Sequence, residues 1–236
     1  FHADPEVLYS NKTKKFYIYS TTDGTPGWGG HDFSVFSSDD LVNWTDEGKM
    51  LDVKGDQVKW ATGNAWAPCI IERKQKDGSF KYYFYMLSIK KETTKNLTPK
   101  GGNLQTWAYR EAPYVFFRKG KYYFLWSVDD TGSPNYHVCY GTSTSPLGDI
   151  QIDEQNYRVI EQVPEDKIYG TAHNSILQLP GKDEWYIVYH RINKNFADRK
   201  YGGGVPGTHR EVCIDKMTFD KKGNIVPVKP SLNFTR

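Results

Sequence analysis

The chain has 236 residues, enough for one large domain with a real core or for two small ones. Its 31 Lys and Arg stand against 28 Asp and Glu, interspersed, which excludes the basic stripe of a nucleic-acid-binding protein. No run of about 18 apolar residues exists to make a transmembrane helix.

Strand signals run the length of the chain. FYIYS (16–20), YYFYM (82–86), YYFLWS (122–127) and WYIVYH (185–190) are short aromatic or β-branched runs bounded by charged and turn residues. No long stretch carries a capped helical period. Each run follows another strand that starts at a small or proline-containing turn: ADPEVLYS, WAPCIIER, EAPYVFFR and HNSILQLP. A third segment follows the first pair (HDFSVFSSDDLVNW) and the third (YHVCYGTSTSPLGD). The pattern is all-β: one small antiparallel sheet, repeated. Such repetition around an axis makes a β-propeller.

The repeat has a defect. Aligned on Tyr17, Tyr83, Tyr123 and Tyr186, the middle step is much shorter than the two outer ones. The second copy lacks its third segment, so about a blade of sequence is missing near Tyr85-Met86. The starts of the first strands line a propeller's channel. The residues there are His2, Asp4, Trp66, Arg110, Glu111 and His173. Asp4 and Glu111 then hold what reads as the equivalent place in two copies. Two carboxylates across a pocket suit glycoside hydrolysis, one giving a proton to the leaving oxygen and the other activating water or attacking the sugar. The acid needs a raised pKa, and the apolar neighbours of Glu111 suit that need. The alternative for each carboxylate is a plain turn residue.

HADPEVLY, FSVFSSDDLVNW, NAWAPCII, YREAPYVFFRKGKYYFLWS, NYHVCYGTSTSPLG and HNSILQLPGKDEWYIVYHR, in that order, resemble glycoside hydrolase family 43. The likeness extends through HREVCIDKMTF. The resemblance implies a single five-bladed β-propeller domain of four-stranded antiparallel blades over residues 1–236, with part of blades two and three absent. It implies hydrolysis of arabinofuranosyl or xylosyl linkages in xylan or arabinan, with inversion. Asp4 matches the family's general base and Glu111 its general acid. The third, pKa-modulating Asp sits in an Ile-Asp-Pro type motif, which this sequence lacks between Trp66 and Glu111. Inversion requires the two carboxyl groups to stand about 6.5–9.5 Å apart. Endo-acting xylanase or arabinanase activity and an inactive carbohydrate-binding propeller are the alternatives.

Other candidates follow from the same motifs. His173 matches a family histidine that helps hold a calcium ion or its water shell; a hydrogen-bonded structural histidine is the other reading. Calcium takes oxygen ligands, and no EF-hand loop is present, so any calcium is expected to be structural, with no cofactor required for chemistry. Arg210 resembles the arginine that reaches a substrate hydroxyl, against a plain surface residue. His2, Trp28 and Trp66 are expected to contact sugar, Trp66 being equally readable as core. Trp44 reads as core, and Asp129 and Asp130 as a loop turn. Cys69, Cys139 and Cys213 read as buried free thiols. Asn11, Asn43, Asn96 and Asn233 fit the N-glycosylation pattern, which has meaning only in a eukaryotic secretory setting. The expected partner is an oligo- or polysaccharide, bound by a monomer without nucleic acid or membrane insertion. The expected location is secreted or periplasmic, with the cytoplasm open.

Overall fold

The computed structural model describes residues 1–25, 29–59, 61, 63–87, 107, 109–145, 149–196 and 209–232. They fall into two compact units, Phe1–Asn96 and Leu97–Arg236. In the first, β1 (His2–Tyr9), β2 (Phe16–Thr22), β3 (Asp32–Ser38) and β4 (Thr45–Asp52) form one antiparallel meander. There β5 (Trp66–Lys74) and β6 (Phe80–Leu87) form a two-stranded sheet. In the second unit, β7 (Glu111–Arg118), β8 (Lys121–Val128), β9 (His137–Ser143) and β10 (Arg158–Ile160) make a third sheet. A fourth holds β11 (Ala172–Gln178), β12 (Trp185–Ile192), β13 (Arg210–Phe219) and β14 (Ile225–Val226).

The all-β architecture of repeated antiparallel sheets is as the sequence implies. The described residues form four sheets, the second of two strands, and do not show a fifth; this is consistent with the expected absence of part of blades two and three. Fewer residues lie between β6 and β7 than between β2 and β5.

Local chemistry explains the elements. β12 is buried at every position, flanked by β11 and β13, and it opens on the apolar run WYIVY before His190 and Arg191. Between β7 and β8 the chain reverses in two residues, Lys119 and Gly120, both with positive φ (46° and 85°). That is the primed turn whose twist matches paired strands, and glycine takes its second position without steric cost.

One irregularity recurs in every sheet. The register between the first two strands slips by one residue at Ala3/Glu6, Trp66/Cys69, Glu111/Tyr114 and Ala172/Ser175. Each slip is a β-bulge, and its second residue is left-handed: Asp4 (φ 51°), Ala67 (48°), Ala112 (55°) and His173 (50°). Bulges re-aim side chains. Here they do so at the starts of the first strands, where the sequence places its candidate site residues.

The core of the second unit is aromatic, with Tyr123, Tyr136 and Tyr189 almost wholly buried among aliphatic side chains. Phe116 stacks flat on Tyr123 at 4.8 Å. The Tyr114 hydroxyl donates to the Ile176 carbonyl, joining the third sheet to the fourth. Arg118 adds a bidentate pair to Asp183 at 2.9 and 2.7 Å while lying over the Phe219 ring. In the first unit Phe84 packs against Phe33 and Tyr19, which ties the two-stranded sheet to the first.

Two expectations about burial are corrected. Cys69, on the two-stranded sheet, is exposed, whereas Cys139 is buried and Cys213 half-buried; all three are free thiols. Trp44 is only half-buried and donates its indole N–H to the Leu41 carbonyl, closing a local turn instead of entering the core.

Candidate active site

Asp4 is the bulge residue of β1 and is 6% exposed. Its Oδ2 accepts a 2.8 Å hydrogen bond from the hydroxyl of Thr21, on β2. The same hydroxyl accepts the backbone N–H of Ala67, the bulge residue of β5, at 2.9 Å. His2 lies half-buried at the start of β1, with Nδ1 3.2 Å from the Ser20 hydroxyl and its ring edge-on to Phe36. Burial pushes its imidazole below the ordinary histidine range. Trp66 opens β5 half-buried, between its two expected roles. Trp28 lies outside the described residues.

Glu111 opens β7 half-buried, and its Oε1 accepts a 2.7 Å hydrogen bond from the hydroxyl of Tyr136, itself 0% exposed. The Tyr136 ring stacks on His190, and His190 lies 5.8 Å from the His173 ring. The backbone N–H of His173 is held by the Ser127 hydroxyl at 2.9 Å. Arg110, before Glu111, pairs with Asp130 at 3.0 Å. Arg210 is no surface arginine: it is 4% exposed, and its Nη1 donates to Thr131 in the loop after β8. Asp129 accepts from the Asp130 N–H and the Ser133 hydroxyl, the turn expected of it.

The bulges correct one reading. Asp4 and Glu111 are not at equivalent positions. Asp4 holds the left-handed place that Ala112 holds in β7, and Glu111 holds the place of Ala3, one residue earlier. The two carboxylates therefore belong to bulges of the same kind in two different sheets, at different steps. The hydroxyl partners Thr21 and Tyr136 were not legible from sequence. Thr21 carries a faint signal, since it and Ser127 close the second strands of two repeat copies, in YSTT and LWSV.

Among the described residues, one group of three side chains has metal-like proximity: His31, Asp32 and Asp52. The Lys49 ammonium already lies 2.7 Å from Asp32 and 3.0 Å from Asp52, so a cation occupies that ground. A cleft in the second unit, lined by Arg158, Glu161, Gln162, Val163, Lys229 and Pro230 among others, includes none of the candidate residues.

The sequence model of the glycosyl hydrolases family 43 matches residues 1–96 and 85–225. The chain belongs to glycosyl hydrolase family 43. The two matched segments meet where the repeat falls short. A β-D-galactofuranosidase of Aspergillus niger is 25% identical over 301 aligned positions, covering 98% of this chain and 84% of the fungal enzyme. An alignment longer than the 236-residue chain means that the fungal enzyme carries sequence this family member lacks. A xylosidase/arabinosidase of Humicola insolens is 30% identical over 51% of this chain and 30% of that enzyme. A β-xylosidase of Xylanibacter ruminicola is 27% identical over 50% and 31%. In these two cases the match spans less than a third of the relative's length. In fold, the chain is similar to a thermostable family-43 glycoside hydrolase, with a TM-score of 0.70, 21% identity and coverage of 100% of this chain and 95% of that one. It is also similar to a family-43 enzyme of Xanthomonas citri solved with xylotriose, with a TM-score of 0.65, 18% identity and coverage of 98% and 91%.

Proposed function

We propose that this family-43 member is an inverting glycosidase acting on arabinofuranosyl or xylosyl linkages of plant polysaccharide, with Glu111 as general acid and Asp4 as general base. The observation that carries the reading is the pair of carboxylates on one recurring bulge. Each stands in the motif that matches its family role, HADP or REAP, and each accepts a hydroxyl hydrogen bond. In the reaction, Glu111 gives its proton to the glycosidic oxygen as the bond to the anomeric carbon breaks. Asp4 takes a proton from the water that attacks the opposite face. The product sugar has the inverted anomer, and exchange with solvent resets both carboxyls.

Arg210, buried and fixed by Thr131, is the candidate to hold a substrate hydroxyl, with His2 and Trp66 as sugar contacts. No cofactor enters these steps. A structural calcium would sit near His173, which would reach it through water. The neighbouring oxygens Asn174 Oδ1 and Thr171 Oγ1 are buried without a hydrogen-bond partner. The described residues of that stretch offer no carboxylate, so water would fill most of the six to eight oxygen positions that calcium takes.

The relatives' names widen the substrate set by one. A galactofuranoside shares the five-membered ring of an arabinofuranoside. The test is turnover of p-nitrophenyl α-L-arabinofuranoside, β-D-xyloside and β-D-galactofuranoside by the parent and by Glu111→Gln. The expected outcome is turnover of at least one, lowered about 10²–10⁴-fold in the variant, with the inverted anomer seen first by NMR. Cleavage of polymer alone replaces the exo reading with an endo one. Sugar binding that survives Glu111→Gln, with no turnover by the parent, replaces it with a binding propeller.

A further inference from the structure

Each bulge puts one extra residue into a strand, and the ladder cannot pair that residue's N–H. A buried N–H needs a partner. The structure shows how two of the four bulges find one. The N–H of Ala67 goes to the Thr21 hydroxyl at 2.9 Å, and the N–H of His173 goes to the Ser127 hydroxyl at 2.9 Å. Thr21 and Ser127 hold the same place in their sheets, at the end of the second strand: Thr21 is opposite Ala3 and Ser127 is opposite Glu111. A hydroxyl from one sheet thus fastens the bulge of the next, once in each unit.

At Thr21 the fastening has an added consequence. A hydroxyl has one proton and two lone pairs. The Ala67 N–H occupies a lone pair, so the proton is left to point elsewhere, and the atom in reach is Asp4 Oδ2 at 2.8 Å. Thr21 is 2% exposed and Asp4 6%, so little water competes. A hydroxyl that donates to a carboxyl oxygen favours its ionised form, which is the form a general base must have. Ser127 is the internal control. The residue matching Asp4 in its sheet is Ala112, which has no carboxylate to receive the proton.

We infer that Thr21 is a positioning residue for the general base: the Ala67 N–H directs its hydroxyl at Asp4, keeping that carboxylate ionised and aimed. The inference rests on the reading of Asp4 as the base, and the test separates the two. The Asp4 carboxyl is titrated by ¹³C NMR in the parent, its resonance assigned with Asp4→Asn, and the titration is repeated in Thr21→Val, Thr21→Ser and Ser127→Ala. Loss of a hydroxyl donor to a carboxylate favours its neutral form. Thr21→Val is therefore expected to move the Asp4 midpoint up by about one pH unit, and the acid limb of kcat/KM with it. Thr21→Ser is expected to restore both. Ser127→Ala, which loses a fastening of the same kind, is expected to leave the Asp4 midpoint unchanged. Thr21→Ala serves in place of Thr21→Val where the valine does not fold. An Asp4 midpoint that stays put in the hydroxyl-less variants overturns the assignment. A midpoint that moves while Asp4→Asn still turns over substrate instead overturns Asp4 as the base, and Thr21 then positions nothing catalytic.

Discussion

Glu6 is a carboxylate for which the proposed chemistry has no use. It lies two residues beyond Asp4 on β1, half-buried, and burial alone pushes its carboxyl up to about 8. The linkage has a definite sign. Between the ordinary value of 4.5 and about 8, the folded chain keeps a proton that the unfolded chain releases. Stability therefore falls as pH rises through that window and levels off above it. At about 1.4 kcal/mol per unit the loss reaches a few kcal/mol at most, less as far as solvent reaches the group. Glu6→Gln is expected to remove this slope. Urea midpoints measured at pH 5 and pH 8 should drop further in the parent than in the variant, and equal drops would show that Glu6 ionises freely in the folded chain.

The bulge is the element on which the site depends, and it is where sequence reading reached furthest and then stopped. The repeat, the first-strand starts and the two carboxylates follow from alternation, from proline at three of the four starts and from aligned tyrosines. The one-residue offset between Asp4 and Glu111 does not, because HADP and REAP look alike until strand pairing shows which residue is left-handed. Hydroxyl partners such as Tyr136, 25 residues from Glu111 in sequence, were invisible for the same reason: they are set by pairing between strands. The bulge also costs stability wherever a non-glycine residue takes the left-handed place, by roughly 1 kcal/mol. Ala112 is the clean position to test, since it has no polar atom in its side chain and neighbours the proposed acid. Ala112→Gly should raise the melting temperature by relieving that strain. Ala112→Val should lower it, because a β-branched side chain tolerates positive φ worst. If glycine and valine act alike, the bulge carries no strain and its left-handed geometry is set by packing alone.

At the scale of the molecule, the short second sheet, the family match in two segments that meet at residues 85–96, and an alignment longer than the chain all point to the same stretch. Its absence should leave a mark on the second unit, because β7 opens the sheet that follows it. Along β7 the exposure alternates: Tyr114 and Phe116 are half-buried, while Val115 and Phe117 are 47% and 55% exposed. Apolar side chains bared along one face of a strand invite association. Val115→Thr tests this without disturbing the ring contact between Phe117 and Tyr122. On an exposed strand face the change should alter stability by no more than about 0.5 kcal/mol and reduce concentration-dependent association seen by light scattering. A loss of about 1–3 kcal/mol would instead mean that the threonine hydroxyl is being buried. The face would then be covered in solution, and dependence of that loss on protein concentration would identify the cover as a second copy of the chain.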